Sequence, residues 1–260
     1  LRRQWVQLGA AAVFNSYFLA PWAKALPCPG FNCYACPLAI TACPIGSLQH
    51  FVILRRVPLY LLGFLGIIGA LVGRMACGWI CPFGYLQELL YKLPVPKWWI
   101  SNRLARFRYL IFAVLVIAIP FATYEPWFCK LCPAGGLEAG APLAILNAEI
   151  RALAGLLFLI KMLILALFLI WFAVTTRPFC RFVCPLGSVY APFNAVSGVK
   201  LYYNGARCLH CDDCAAVCPT ALHPPTEIDS EGCIRCLECL KACPQGALSA
   251  GPARTEIEED

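Results

Sequence analysis

The sequence predicts an all-α membrane bundle of four transmembrane helices, laid out as a duplicated two-helix hairpin, followed by a small C-terminal α+β domain. Three observations predict it. The 260 residues are 60% hydrophobic and only 13% charged, with a mean hydropathy of +0.69, whereas soluble domains carry about 25% charged residues. Four stretches are apolar over the roughly 20 residues that a helix needs to cross a hydrocarbon core of about 30 Å. Eighteen cysteines fall into spaced groups that recur along the chain, one beyond each apolar stretch and two more after the last.

The spans are expected near 5–23, 58–76, 106–124 and 152–174. The first imitates a signal peptide, with Arg2 and Arg3 ahead of an apolar run and Ala23-Lys24-Ala25 in the place of a cleavage site, and is read as a retained span. Segment 47–57 reads as an interfacial helix ended by Pro58, and Gly63, Gly66, Gly69 and Gly73 form a small-residue stripe suited to close helix packing. Ten Lys and Arg near the N-terminus, the loop 74–108 and the segment after 176 face five on the other side. By the positive-inside rule both termini then lie in the cytoplasm of a prokaryotic inner membrane, with Arg55 and Arg56 on the contrary side. Residues 1–197 are the membrane domain. Residues 198–260 carry most of the acidic side chains and no span, and are expected to form a separate water-facing domain with an acidic tail.

The membrane part repeats. Arg74-Met-Ala-Cys77-Gly-Trp-Ile-Cys81-Pro-Phe-Gly84 follows the second span, and Arg177-Pro-Phe-Cys180-Arg-Phe-Val-Cys184-Pro-Leu-Gly187 follows the fourth. On the opposite side Cys33-Tyr-Ala-Cys36-Pro and Cys129-Lys-Leu-Cys132-Pro follow the first and third. The unit of span, outer cysteine loop, span and inner cysteine loop thus occurs twice.

Three histidines cannot supply paired axial ligands for several haems, and no Cys-x-x-Cys-His occurs for covalent haem attachment. Proline instead follows eight of the eighteen cysteines, a pattern of iron–sulfur ligation rather than of a disulfide scaffold. The net charge of +7 reads as membrane topology, and nothing else points to nucleic acid.

The tail contains Cys208-x2-Cys211-x2-Cys214-x3-Cys218-Pro and then Cys233-x2-Cys236-x2-Cys239-x3-Cys243-Pro. This is the bacterial two-cluster ferredoxin run written twice, in which the fourth cysteine of each run serves the other cluster. One [4Fe-4S] cluster is expected on Cys208, Cys211, Cys214 and Cys243, the other on Cys233, Cys236, Cys239 and Cys218. A pair of zinc knuckles is the alternative, since C-x2-C is also a zinc spacing.

Cys77, Cys81, Cys180 and Cys184 supply four thiolates from two symmetry-related loops and are expected to hold a third cluster at the inner face. Arg74 and Arg177, each three residues before a ligand, are placed to offset the charge of a thiolate-bound cube, or else serve as ordinary cytoplasmic anchors. Gly84 and Gly187 are expected to turn backbone N–H groups towards the sulfurs.

Six cysteines lie on the outer side. The symmetric choice for a fourth cluster is Cys33, Cys36, Cys129 and Cys132. Cys43, in a Cys-Pro-Ile-Gly run, is able to replace Cys33, and disulfides, with Cys28–Cys43 as the first pair, are the alternative there. Lys161 lies well inside the fourth span, where a central lysine costs about 2.5–3.5 kcal/mol, and is a candidate to face a cluster, a quinone or a partner subunit. Glu88 is a candidate proton acceptor or a solvated surface residue.

With these residues together, the chain resembles the membrane polyferredoxins, typified by the integral-membrane quinol dehydrogenase component of periplasmic nitrate reductase systems. The resemblance implies a C-terminal bacterial-type double [4Fe-4S] ferredoxin domain, and electron transfer along or across the membrane to a partner iron–sulfur or haem protein, often from menaquinol. The added outer thiols favour a through-membrane relay over quinol oxidation. The expected protein is an electron-transfer subunit of an oxidoreductase complex rather than an enzyme on its own. Its expected partners are other subunits of that complex, a cytoplasmic iron–sulfur or flavin protein and the lipid bilayer. Competing readings are a quinol oxidoreductase subunit, with Lys161 or Glu88 handling protons, and a membrane reductant for metal-centre maturation. A relay requires the inner and outer clusters to lie no more than about half of the 30 Å hydrocarbon slab apart.

Overall fold

The computed structural model describes residues 3–17 and 23–253. Helix dominates, as the unbroken apolar runs require. Asn102–Thr123 is 22 residues long with mean hydropathy 2.0, and Leu156–Val174 is 19 residues long with mean hydropathy 2.8; both are long and apolar enough to cross a membrane. Within Leu156–Val174 only Leu165 and Phe172 are buried against the chain. Leu156, Leu159, Leu163, Leu167 and Ile170 all point outwards. A face that apolar and continuous is suited to lipid or a partner rather than to water.

The other two expected spans are shorter as helices. Leu59–Val72 stops at 14 residues because Gly73 turns to φ +57° and donates its N–H to the Gly69 carbonyl, a conformation glycine adopts without strain. The chain then re-forms a short helix, Met75–Trp79, that carries Cys77. Arg3–Phe14 is a 12-residue helix, and part of the expected first span lies outside the described residues. The glycine stripe does not act as one seam: Gly63 and Gly66 face open space, whereas Gly69 lies against the Phe193 ring.

The two halves meet on an aromatic core. Phe31, Phe83, Phe128, Phe172 and Phe179 are almost fully buried, with Phe83 and Phe179 edge-to-face at 5.0 Å and Phe31 and Phe179 at 5.5 Å. Such pairs contribute beyond the area they bury.

The C-terminal part is closed by an antiparallel pair, β1 (Val199–Tyr203) and β2 (Leu248–Pro252), in register Leu201↔Ala250. This part is seated firmly on the helical one. Arg235 is fully buried; it donates to the carbonyls of Val72 at 3.2 Å and Asn194 at 2.8 Å, and pairs with Asp229 at 2.6 Å. Gly198 donates its N–H to the Ala70 carbonyl. Ile234 and Cys236 belong to the same buried core as Cys77 and Cys81.

Candidate iron–sulfur sites

Four groups of cysteines assemble, and no two of the eighteen are joined in a disulfide. In the C-terminal part, one apolar recess is lined by Cys208, Cys211, Cys214 and Cys243, and a second by Cys218, Cys233, Cys236 and Cys239. This is the crossed arrangement expected from the two runs. The loops that form it use left-handed residues at matching places: His210 and Asp212 in the first, Arg235 and Leu237 in the second. These turns direct backbone N–H groups inward. His210 donates to the Cys208 Sγ and Arg235 to the Cys233 Sγ, both at 3.4 Å. Leu222 and Ala247 do the same for Cys218 and Cys243, at 3.4 and 3.3 Å. Such nests suit a thiolate-bound anionic group. Burial pushes the Cys233 thiol up to about 11 and the Cys239 thiol up to about 12, so each is protonated at neutral pH until a metal displaces the proton. Among the described residues, no three His, Cys, Asp or Glu side chains converge tightly enough to hold a single metal ion.

At the inner site Cys81 and Cys184 are both electrostatic neighbours of Cys77 and Cys180, so the expected quartet comes together. Cys81 and Cys184 each cap a helix whose first residue is the following proline, which fixes the thiol at the mouth of the turn. Arg74 and Arg177 are 1% and 0% exposed, so they are not surface anchors. They clasp reciprocally: Arg74 Nη2 donates to the Cys180 carbonyl at 3.3 Å, and Arg177 Nη1 to the Cys77 carbonyl at 3.0 Å. The expected backbone contacts of Gly84 and Gly187 are present, with the Gly84 N–H on the Cys81 thiol, and each glycine has a second role. A Cβ on Gly84 would sit 3.2 Å from the Arg177 Nη1, and one on Gly187 would sit 3.1 Å from the Arg74 Nη2. The glycines make room for the other half's arginine, although Gly187 does also donate its N–H to the Cys184 Sγ at 3.4 Å. Glu88, its side chain 15% exposed, is paired by both Arg3 and Arg177 at 2.8 Å.

The outer site departs from the symmetric choice. Cys43 is an electrostatic neighbour of Cys129 and Cys132, and both of these neighbour Cys33. Cys33, Cys43, Cys129 and Cys132 are linked in this way, while Cys36, itself an electrostatic neighbour of Cys33, directs its Sγ at Asn15 Oδ1, 4.0 Å away. The reason is local: Cys36 closes a tight turn on the Cys33 carbonyl, whereas Cys43 caps a helix opened by Pro44, the geometry that also holds Cys81, Cys132 and Cys184. Cys28 is buried beside Thr41 and takes the Gly30 N–H on its sulfur. Lys161 reaches the outer quartet, where its Nζ donates to the Cys129 carbonyl at 3.3 Å.

The quartets follow one another through the molecule. The Phe31 N–H points at the inner Cys81 Sγ, 3.4 Å away, and Cys33 of the outer quartet is only two residues further on. Backbone reach therefore holds the Cys33 Cα within about 13 Å of that sulfur. At the other end Gly78, beside Cys77, lies directly under the loop of the ferredoxin runs. A Cβ there would overlap the Ile234 carbonyl and sit 3.6 Å from the Cys236 Cα. Cys211, at the far end, is exposed.

Cysteine quartets of this kind, in nests and capped turns on one scaffold, define an iron–sulfur electron-transfer protein. The 4Fe-4S binding domain family matches residues 56–101, 105–140 and 155–203, half of the chain, and the 4Fe-4S dicluster domain family matches 200–244. An uncharacterized protein of Methanocaldococcus jannaschii is 31% identical over 79% of this chain and 76% of its own length. The ferredoxin-type protein NapH of Haemophilus influenzae is 25% identical over 69% of this chain and 62% of its own. The methylamine utilization ferredoxin-type protein MauN of Methylobacillus flagellatus is 27% identical over 60% and 51%. No solved structure matches. The chain belongs to the polyferredoxin-type family of 4Fe-4S electron-transport proteins.

Proposed function

We propose that this protein is a membrane electron relay with four [4Fe-4S] clusters in series. Two sit in the ferredoxin part, on Cys208, Cys211, Cys214 and Cys243 and on Cys218, Cys233, Cys236 and Cys239. The third sits on Cys77, Cys81, Cys180 and Cys184, and the fourth on Cys33, Cys43, Cys129 and Cys132. The clusters supply one-electron exchange when bound; the chain's residues hold them, offset their charge and exclude water. Four spans with both termini cytoplasmic place the ferredoxin part on the cytoplasmic side. Its exposed Cys211 end then faces a soluble iron–sulfur or flavin protein, and the outer quartet faces a membrane or outer-side partner within a larger redox complex.

One observation carries this reading: Phe31 and Cys33, two residues apart, touch the inner and the outer quartet respectively. The Cys81 Sγ and the Cys33 Cα, one ligand residue from each quartet, are then no more than about 13 Å apart, under half of the roughly 30 Å slab. A steeply distance-dependent electron transfer is served by such spacing. Arg177, a neighbour of Cys180, Cys81 and Cys236, ties the inner site to the ferredoxin part in the same way. The relay reading is favoured over proton-handling quinol chemistry because Glu88 and Lys161, the two candidate bases, are engaged by Arg3 and Arg177 and by the Cys129 carbonyl.

The test is vectorial. In vesicles with the ferredoxin part outward, an impermeant external reductant should reduce an impermeant oxidant trapped inside, and Cys129→Ala should abolish this while external reduction of the ferredoxin clusters persists. Transfer that survives Cys129→Ala unchanged contradicts the relay.

A further inference from the structure

The four Cys-Pro loops share a position beyond the cysteines. Counted from each Cys-Pro cysteine, the fourth residue is Gly46, Gly84, Gly135 or Gly187, and the seventh is Gln49, Gln87, Glu138 or Tyr190. The two glutamines are fully buried and make the same pair of contacts. Gln49 Nε2 donates to the Cys129 Sγ at 3.1 Å, while its Oε1 accepts the Phe128 N–H at 3.1 Å. Gln87 Nε2 donates to the Cys180 Sγ at 3.1 Å, with its Oε1 accepting the Phe179 N–H at 3.2 Å. Each glutamine thus reaches from its own half of the chain to the first cysteine of the other half's loop. It locks the backbone just ahead of that cysteine and aims a hydrogen at its sulfur.

The second-half loops depart from this. Glu138 accepts the Cys33 N–H and presents no donor to a sulfur. The Tyr190 hydroxyl is fully buried without a partner among the protein atoms, and Cys77, Cys28 and Cys81 are its electrostatic neighbours. A buried hydroxyl left unmatched is costly; a cluster held by Cys77 and Cys81 would offer it a sulfur acceptor.

We infer that the seventh residue of each loop is a positioning residue that sets the reduction potential of a membrane cluster: Gln87 and Tyr190 raise that of the inner cluster, Gln49 raises that of the outer, and Glu138 opposes reduction of the outer. The inference rests on the quartets holding clusters. Its chemistry is a one-electron exchange between neighbouring cubes with no bond made or broken. The reduced cube carries one more negative charge than the oxidised one, so an N–H or O–H aimed at its sulfur stabilises the reduced form more.

The experiment is a potentiometric EPR titration of the intact protein in detergent, with iron and labile sulfide measured on each sample. Gln87→Glu keeps the acceptor for the Phe179 N–H but removes the donor to Cys180. Its inner-cluster midpoint should move to lower potential, with the ferredoxin midpoints unmoved. Tyr190→Phe should shift the same signal in the same direction by less. Full iron content with both inner midpoints unchanged overturns the inference. If Gln87→Glu fails to retain iron, the wild-type protein with glutamine labelled by 15N at the side-chain amide decides: pulsed EPR should show weak 15N coupling on the membrane-cluster signals, and its absence overturns the inference. Loss of the membrane clusters from the wild type itself would instead count against the relay, which the iron measurement separates.

Discussion

The inner quartet is wrapped by two buried arginines, the outer by a carboxylate and a lysine. Both are built on the same Cys-Pro-x-Gly turn from the two halves of the chain, with a glutamine crossing between the halves. Yet Arg74 and Arg177 both clasp the inner loops, against the single carboxylate of Glu88. At the outer site Lys161 and Glu138 are set against one another near Cys33. Four thiolates on a cube leave net negative charge, and a surplus of nearby positive charge favours the reduced form. The template fixes where the thiols sit; on the proposed relay, the surrounding charges would decide how readily each site takes an electron. The inner cluster is therefore expected at a higher potential than the outer.

The largest effect should come from breaking the inner clasp. Arg177→Leu leaves Glu88 with Arg3 alone and frees the Cys77 carbonyl, and leaving buried groups short of a partner costs about 1–3 kcal/mol each, more where one is charged. Thermal unfolding should fall accordingly and the inner cluster's iron should be lost, while Lys161→Met at the outer site should lower stability by much less. An unchanged Tm for Arg177→Leu would mean that the clasp is not structural.

Next in size are the glycines, where the two sites should separate cleanly. Gly187→Ala and Gly84→Ala press a methyl against a guanidinium that is itself confined, and overpacking of this kind costs about 1–3 kcal/mol. Gly46→Ala meets the Cys129 Sγ at 3.5 Å and the Cys43 Cβ at 3.8 Å, both ordinary contacts, and should stay within about 0.5 kcal/mol of the parent. Denaturant unfolding of the three variants tests the contrast. Equal losses at Gly46 and Gly187 would remove it.

A smaller change is expected at Glu138, which burial pushes up to about 7. Glu138→Gln removes negative charge next to the outer quartet and should raise the outer midpoint in an EPR titration, narrowing the gap to the inner one. A fall would reverse the charge argument. Least of all, Gly66→Ala, in a helix interior facing open space, should raise stability by roughly 0.5–1 kcal/mol.

How much of this could be read from the sequence follows from how local each feature is. The crossed grouping of the ferredoxin-run cysteines was legible because spacing and proline dictate the loop, and the inner grouping because its two motifs are near copies. The arginines were legible as counter-charges but not as a reciprocal clasp, since their carbonyl acceptors are Cys180 and Cys77 in the opposite halves. Cys36 and Cys43 both read as ligands, and spacing alone left the choice open; the helix cap at Cys43-Pro-Ile-Gly, the turn shared with the other Cys-Pro loops, is what favours Cys43 in the proposed quartet. Gln49 and Gln87 went unread, although aligning the four Cys-Pro runs would have shown a residue at the same offset in each. Glu88 was misread because both of its partners, Arg3 and Arg177, come from far along the chain. Two of the four expected spans are helices of crossing length; Leu59–Val72 is cut short by the turn at Gly73 that delivers Cys77.

Iron and labile sulfide per chain, measured on the wild type beside Cys43→Ala and Cys36→Ala, test the central claim most directly. Four cubes require about sixteen irons. The account predicts that content for the wild type and for Cys36→Ala, and about twelve for Cys43→Ala. About twelve in the wild type, or a loss with Cys36→Ala and none with Cys43→Ala, would contradict it.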